Sequence, residues 1–234
     1  MPTKRTYKKK SGKYTYYKKY SRFKKYRKNY NFMKIGRNIV AKSTMVKLRY
    51  STVISLNPGL GAASIYQFKA NGMYDPDFTG SGHQPMGFDQ WMTFYDHFTV
   101  VGSKITITAI NNQPETYTLA CSLVDDTAII NPTSFSGFLE RNGTVWKHIA
   151  PVSGSANKGT ISKKFSAKKF FGTKDFIGKS EFKGTSAGDP SELAMFNIIL
   201  YAFDRQTDVP GLTMNIVVEY ITVFTEPIQQ LPQS

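Results

Sequence analysis

The chain has 234 residues, with 31 Lys or Arg against 16 Asp or Glu, a net charge of +15 and one cysteine. The lone Cys121 excludes a disulfide within the chain and fits a reducing compartment. No apolar run follows the basic N-terminus, so a secretory signal is not expected, and the longest mostly apolar stretch, Leu193 to Phe203, is too short to span a bilayer.

The charge is not spread along the chain. Residues 1–42 hold sixteen cations and no acid, whereas residues 43–234 hold fifteen cations and all sixteen acids. A segment of +16 therefore precedes a body of net −1, and the first acid of all is Asp75. This division predicts a basic arm over 1–42 and one domain over 43–234, long enough for a single sizeable core.

The arm's cations fall in clusters: Lys4-Arg5, Lys8-Lys9-Lys10, Lys13, Lys18-Lys19, Arg22, Lys24-Lys25 and Arg27-Lys28. Between them lie Tyr14, Tyr16, Tyr17, Tyr20, Phe23 and Tyr26. Charge of this density attracts any polyanion through counterion release. Interleaved rings add stacking on exposed bases, about 1–3 kcal/mol for each base, so the combination favours single-stranded nucleic acid over duplex. Tyr16, Tyr20, Phe23, Tyr26 and Tyr30 are also spaced to form one aromatic stripe on a helix, which serves equally as a packing face or a stacking face. The basic clusters resemble nuclear-localisation signals and so point to import receptors as partners.

From Thr44 the pattern changes to strands. Met45 to Tyr50 alternates, with Lys47 and Arg49 on one face and Val46, Leu48 and Tyr50 on the other. Lys47 and Arg49 are added to the candidate nucleic-acid contacts. Further strands are expected at Ser64 to Ala70, Phe98 to Ile110, Thr116 to Leu123, Thr144 to Ile149, Gly159 to Phe165, Leu193 to Phe203 and Leu212 to Phe224. One or two helical turns are expected within Phe88 to Phe94. Eight strands with no βαβ alternation predict an all-β class: a single antiparallel jelly-roll sandwich with long loops. Loops over 71–90, 125–143, 150–158 and 166–192 are long enough to imply function or intersubunit contact.

Catalytic chemistry finds little support. His83, His97 and His148 share no spacing, no Cys-x-x-Cys exists, and neither a Gly-x-Ser-x-Gly elbow nor a phosphate-binding loop occurs. Asp75-Pro76-Asp77 and Asp125-Asp126 are better explained as turn and loop acids than as calcium ligands. Asn142-Gly143-Thr144 reads as a turn. No enzyme, cofactor or metal is expected. A second basic region, Lys163, Lys164, Lys168 and Lys169, offers either a solvated loop, a second nucleic-acid contact or a patch for an anionic glycan.

The segment Gly82-His83-Gln84-Pro85-Met86-Gly87-Phe88-Asp89-Gln90-Trp91, followed by Tyr95 and Val101-Gly102-Ser103-Lys104, resembles the capsid proteins of circular, replication-initiator-encoding single-stranded DNA viruses, the circovirus-like group. Lys168-Lys169-Phe170-Phe171-Gly172 and the basic-aromatic arm strengthen the resemblance, which spans most of the chain. It implies a jelly roll that assembles with its own copies into a small icosahedral shell, of sixty subunits in the T=1 case. It implies an inward-facing arm on a circular single-stranded DNA genome, location in the virion and, during assembly, in the host nucleus, and a structural corner at Gly82 to Asp89. It also implies host attachment through sulfated glycans, for which Lys163, Lys164, Lys168 and Lys169 are the candidates. The alternative from a different class is a non-viral monomeric nucleic-acid-binding module with a basic tail.

Overall fold

The computed structural model describes residues 40–125, 135–204 and 209–228. Within them the chain forms eight strands: β1 (Ser43–Leu56), β2 (Ser64–Lys69), β3 (Tyr95–Ile110), β4 (Tyr117–Asp125), β5 (Val145–Ile149), β6 (Lys158–Ser166), β7 (Ala194–Ala202) and β8 (Leu212–Pro227). Three short α-helices, α1 (Phe88–Met92), α2 (Phe135–Glu140) and α3 (Ala167–Phe170), and one 3-10 turn, Ser180–Phe182, lie in the connections.

The strands pair as if one long hairpin had been laid out and folded over. β1 pairs with β8, β2 with β7, β3 with β6 and β4 with β5, all antiparallel. Cross-pairs β3–β8 and β4–β7 then join these four ribbons into two sheets, β1-β8-β3-β6 and β2-β7-β4-β5. This is the eight-stranded jelly roll that the alternation predicts. All eight expected strands form. β1 runs to Leu56, six residues beyond the Met45 to Tyr50 alternation, because its register with β8 is unbroken from Ser43↔Thr225 to Leu56↔Leu212.

Period-two patterning explains the core. Leu48, Tyr50, Ile54 and Leu56 of β1 are buried while Lys47, Arg49, Ser51, Val53 and Ser55 are exposed. Their inward partners include Ile216, Val218 and Tyr220 on β8, Ile105 and Ile107 on β3, and Phe196, Ile198 and Leu200 on β7. Burying side chains of this size removes apolar surface from water at about 25 cal/mol per Å², the main favourable contribution to the fold.

β7 departs from the alternation, with all nine residues buried. Its inward side chains meet the main core, and its outward Ile199 and Tyr201 are covered by Phe135 and Phe138 of α2, together with Ala63 and Ala120. The Phe135 and Tyr201 rings stack at 4.5 Å. A strand covered on both faces reads as a continuous apolar run, as Leu193 to Phe203 does.

β3 contains a bulge between Val100 and Gly102. Before it, even-numbered Phe98 and Val100 point inward; after it, odd-numbered Ser103, Ile105, Ile107 and Ala109 do. The extra residue shifts the phase of the whole C-terminal half of the strand.

Candidate nucleic-acid interface

The arm residues from Lys4 to Lys28 lie outside the described residues. The two body candidates, Lys47 and Arg49, stand on the outward face of the β1-β8-β3-β6 sheet, with side chains 59% and 67% exposed. Both converge on one carboxylate. Lys47 Nζ lies 2.9 Å and Arg49 Nη2 2.8 Å from Glu219 Oε1. Hydrogen bonds from Lys47 and then Arg49 hold the Glu219 carboxyl below its ordinary range, against a smaller opposing effect of burial.

Register places two more lysines in the same row. Arg49 is opposite Glu219, Glu219 is opposite Lys104, and Lys104 is opposite Lys164. The row therefore crosses all four strands. Beyond the bulge, the outward positions of these strands supply five cations, Lys47, Arg49, Lys104, Lys158 and Lys164, against Glu219 alone. Between the cations lie hydroxyls and one amide, Ser51, Thr106, Ser162, Thr108, Thr160 and Asn215, together with the aliphatic side chains of Val53, Ile110, Val217 and Ile221. Thr108 Oγ1 and Thr160 Oγ1 are 3.3 Å apart. No ring occupies an outward position in this region. Such a face can hold charge and donate hydrogen bonds but cannot stack bases.

The second basic region is not one patch. Lys163 is opposite the fully buried Ile105, on the inward side of β6. Its ammonium donates to the Gly143 carbonyl and lies close enough to influence Cys121, whose thiol burial pushes up to about 12. Lys164 points the other way, into the cationic row. Lys168 and Lys169 are exposed on α3. The neighbouring Phe170 and Phe171 pack edge-on to each other at 5.1 Å and join Phe165 and Phe182. The Lys-Lys-Phe-Phe-Gly segment thus presents two lysines on an aromatic anchor, apart from Lys163.

The Gly82 to Trp91 segment is a packed corner. Gly87 takes φ 88°, a left-handed conformation that favours glycine, at the start of α1. Trp91 stacks on Phe224 at 5.6 Å, and Phe88 meets Phe98 edge-on at 5.3 Å. Gly82 has no room for a side chain, since a Cβ there would lie 2.8 Å from both the Tyr50 hydroxyl and Asp77 Cβ. Ser103 donates to the Ala70 carbonyl at 2.5 Å, tying β3 to the end of β2.

The histidines have separate local partners. His83 contacts the Gln84 and Ser51 carbonyls, His97 lies 3.2 Å from Glu226, and His148 Nδ1 lies 2.8 Å from Thr118 Oγ1. Asp77 accepts from the Tyr66 hydroxyl at 2.7 Å and from the Thr79 amide and hydroxyl, which is turn chemistry. Asp75 lies 3.7 Å from the Lys69 ammonium. The Asn142 to Thr144 segment is a turn, closed by the Thr144 amide on the Arg141 carbonyl at 3.1 Å. Among the described residues no three His, Cys, Asp or Glu side chains converge as metal ligands, and no helix is long and apolar enough to cross a membrane.

Lys104 and Glu219 are the members of this charged row that sequence reading missed. Alternation places Lys104 opposite in phase to Ile105, but only the strand order brings it between Glu219 and Lys164.

No family model and no curated protein matches the chain. Among solved structures it is similar to desmodium yellow mottle tymovirus, at 9% identity and a TM-score of 0.45, over 83% of this chain and 94% of that one. It is similar to mud crab tombus-like virus, at 11% identity and a TM-score of 0.48, over 81% and 92%. It is also similar to a decameric BFDV capsid protein, at 8% identity and a TM-score of 0.43, over 79% and 99%.

Proposed function

We propose that the chain is a viral coat protein. In this reading, residues 43–234 tile with their own copies into a small icosahedral shell, and residues 1–42 hold a circular single-stranded DNA genome. The observation that carries it is the joining of a near-neutral jelly roll to a segment of sixteen cations and no acid. A body of net −1 packs against itself without a large repulsive field, while the arm neutralises phosphates. Sixty arms of +16 supply about 960 positive charges, enough to offset about as many phosphates. Nuclear import through the basic clusters and glycan attachment through Lys163, Lys164, Lys168 and Lys169 belong to the same proposal. The inward orientation of Lys163 favours Lys168 and Lys169 as the attachment pair.

Electron microscopy and size-exclusion chromatography of purified protein test the assembly. Closed particles are expected, and a monomer that persists at every salt concentration sinks the shell. Removing residues 1–42 tests the arm. Among the described residues every buried hydrophobic side chain lies at or beyond Leu48, so the truncated body is expected to fold and to lose nucleic acid. Particles that still package DNA without the arm would overturn its role.

A second reading, the monomeric nucleic-acid-binding module, gains from one feature: the body has a cationic face of its own. The same chromatography separates the two.

A further inference from the structure

The like-charged pair at the β6 end of the cationic row calls for a partner. Lys104 and Lys164 stand directly opposite each other on β3 and β6, an arrangement that costs stability in an antiparallel pair. Neither makes an ion pair among the described residues, because Glu219 turns its carboxylate to Lys47 and Arg49 instead. From Arg49 to Lys164 the row spans three strand spacings, about 14 Å. The chain enters this sheet through β1, whose first residue follows directly on the basic segment.

We infer that the outward face of the β1-β8-β3-β6 sheet is a second polyanion site. It takes the phosphodiester backbone of a single nucleic-acid strand across the row Arg49, Lys104 and Lys164, and Glu219 is its resident competitor. This rests on the nucleic-acid part of the proposed function, not on shell formation. Arm and face divide the recognition. The arm has rings and stacks bases, whereas the face has ammonium, guanidinium, hydroxyl and amide donors beside aliphatic side chains, with no ring, and contacts phosphate without reading sequence. Glu219 occupies the position a phosphate oxygen would take between Lys47 and Arg49. An incoming strand must displace it before those two cations are free, so its charge weakens binding at this face. Lys104 and Lys164 need no such release and are the first contacts.

The test uses the full chain. Amine-reactive footprinting with and without a short oligothymidylate is expected to show several-fold slower modification of Lys104 and Lys164, with Lys147, on β5 of the other sheet, and Lys179, which lies 3.3 Å from Glu181, unchanged. In filter binding, Glu219→Gln is expected to tighten the complex several-fold. The double substitution Lys104→Gln and Lys164→Gln is expected to flatten the plot of log affinity against log salt by about 1.4, or 0.7 for each lost contact. Protection of the arm lysines alone, with an unchanged salt slope in the double variant, overturns the second site and leaves the arm's role standing. No protection anywhere removes both. Protection of Lys104 and Lys164 by a sulfated oligosaccharide at lower concentration than by oligothymidylate assigns the face to a glycan and overturns the inference.

Discussion

The two sheets finish their outer surfaces in opposite ways. The outward side of β2-β7-β4-β5 carries Ile65, Ile199, Ala120 and Tyr201, and the β4–β5 connection folds α2 over it as a cover. Its uncovered margin remains aromatic, with Trp146 and Phe203 49% and 61% exposed on either side of His148, at ring distances of 4.9 and 5.3 Å. The outward side of β1-β8-β3-β6 carries hydroxyls, cations and scattered aliphatic side chains, and beyond the bulge of β3 it has no ring. One sheet thus builds a second small core outside itself, and the other leaves its surface open to water and ions. Strand patterning decides the inside of both sheets; the connections and outward side chains decide what each can bind.

This contrast can be broken from either side. Phe138→Ala in α2 removes a side chain that is 2% exposed and is expected to cost about 3 kcal/mol by chemical denaturation. Thr106→Ala, at a matching outward position on the other sheet, is expected to stay within about 0.5 kcal/mol. Equal effects would show that the cover on α2 contributes nothing.

Glu219→Gln sharpens the electrostatic half. The pair of cations depresses the Glu219 carboxyl, so its stabilising contribution is present above the ordinary carboxylate range and is lost as pH falls through the lowered value. The substitution is therefore expected to cost about 0.5 kcal/mol at neutral pH and nothing once the carboxylate is protonated in strong acid. Denaturation curves at the two extremes check the sign. The smallest effect is expected from Lys104→Thr. Relieving the cross-strand repulsion with Lys164 is expected to stabilise the protein by a few tenths of a kcal/mol at low salt, and the gain should fade as salt screens it.

Much of the fold was legible because alternation and β-branched runs mark strands directly, as in Ile105 to Thr108. The continuous apolar run of β7 was also visible as a strand, although its cause, burial on both faces, was not. α2 escaped notice since Phe-Ser-Gly-Phe-Leu-Glu is short, contains a glycine and has no period to read. The bulge was hidden too, because Val100-Val101-Gly102 fits either phase. Lys163 and Lys164 read as one basic patch along the chain, and strand geometry sends them to opposite sides. The cationic row was invisible for another reason. It is made by pairing β3 with β6 and β8, and the sequence distance between those strands conceals it.

The extra residue at Val101 acts as a reading frame for β3. With it, Ile105 and Ile107 enter the core and Lys104 faces outward; shortening the strand by one residue there would exchange the two sets and drive an ammonium group between the sheets. A single-residue deletion at that point would do more harm than any side-chain replacement along the strand, and the outward position of Lys104 depends on it.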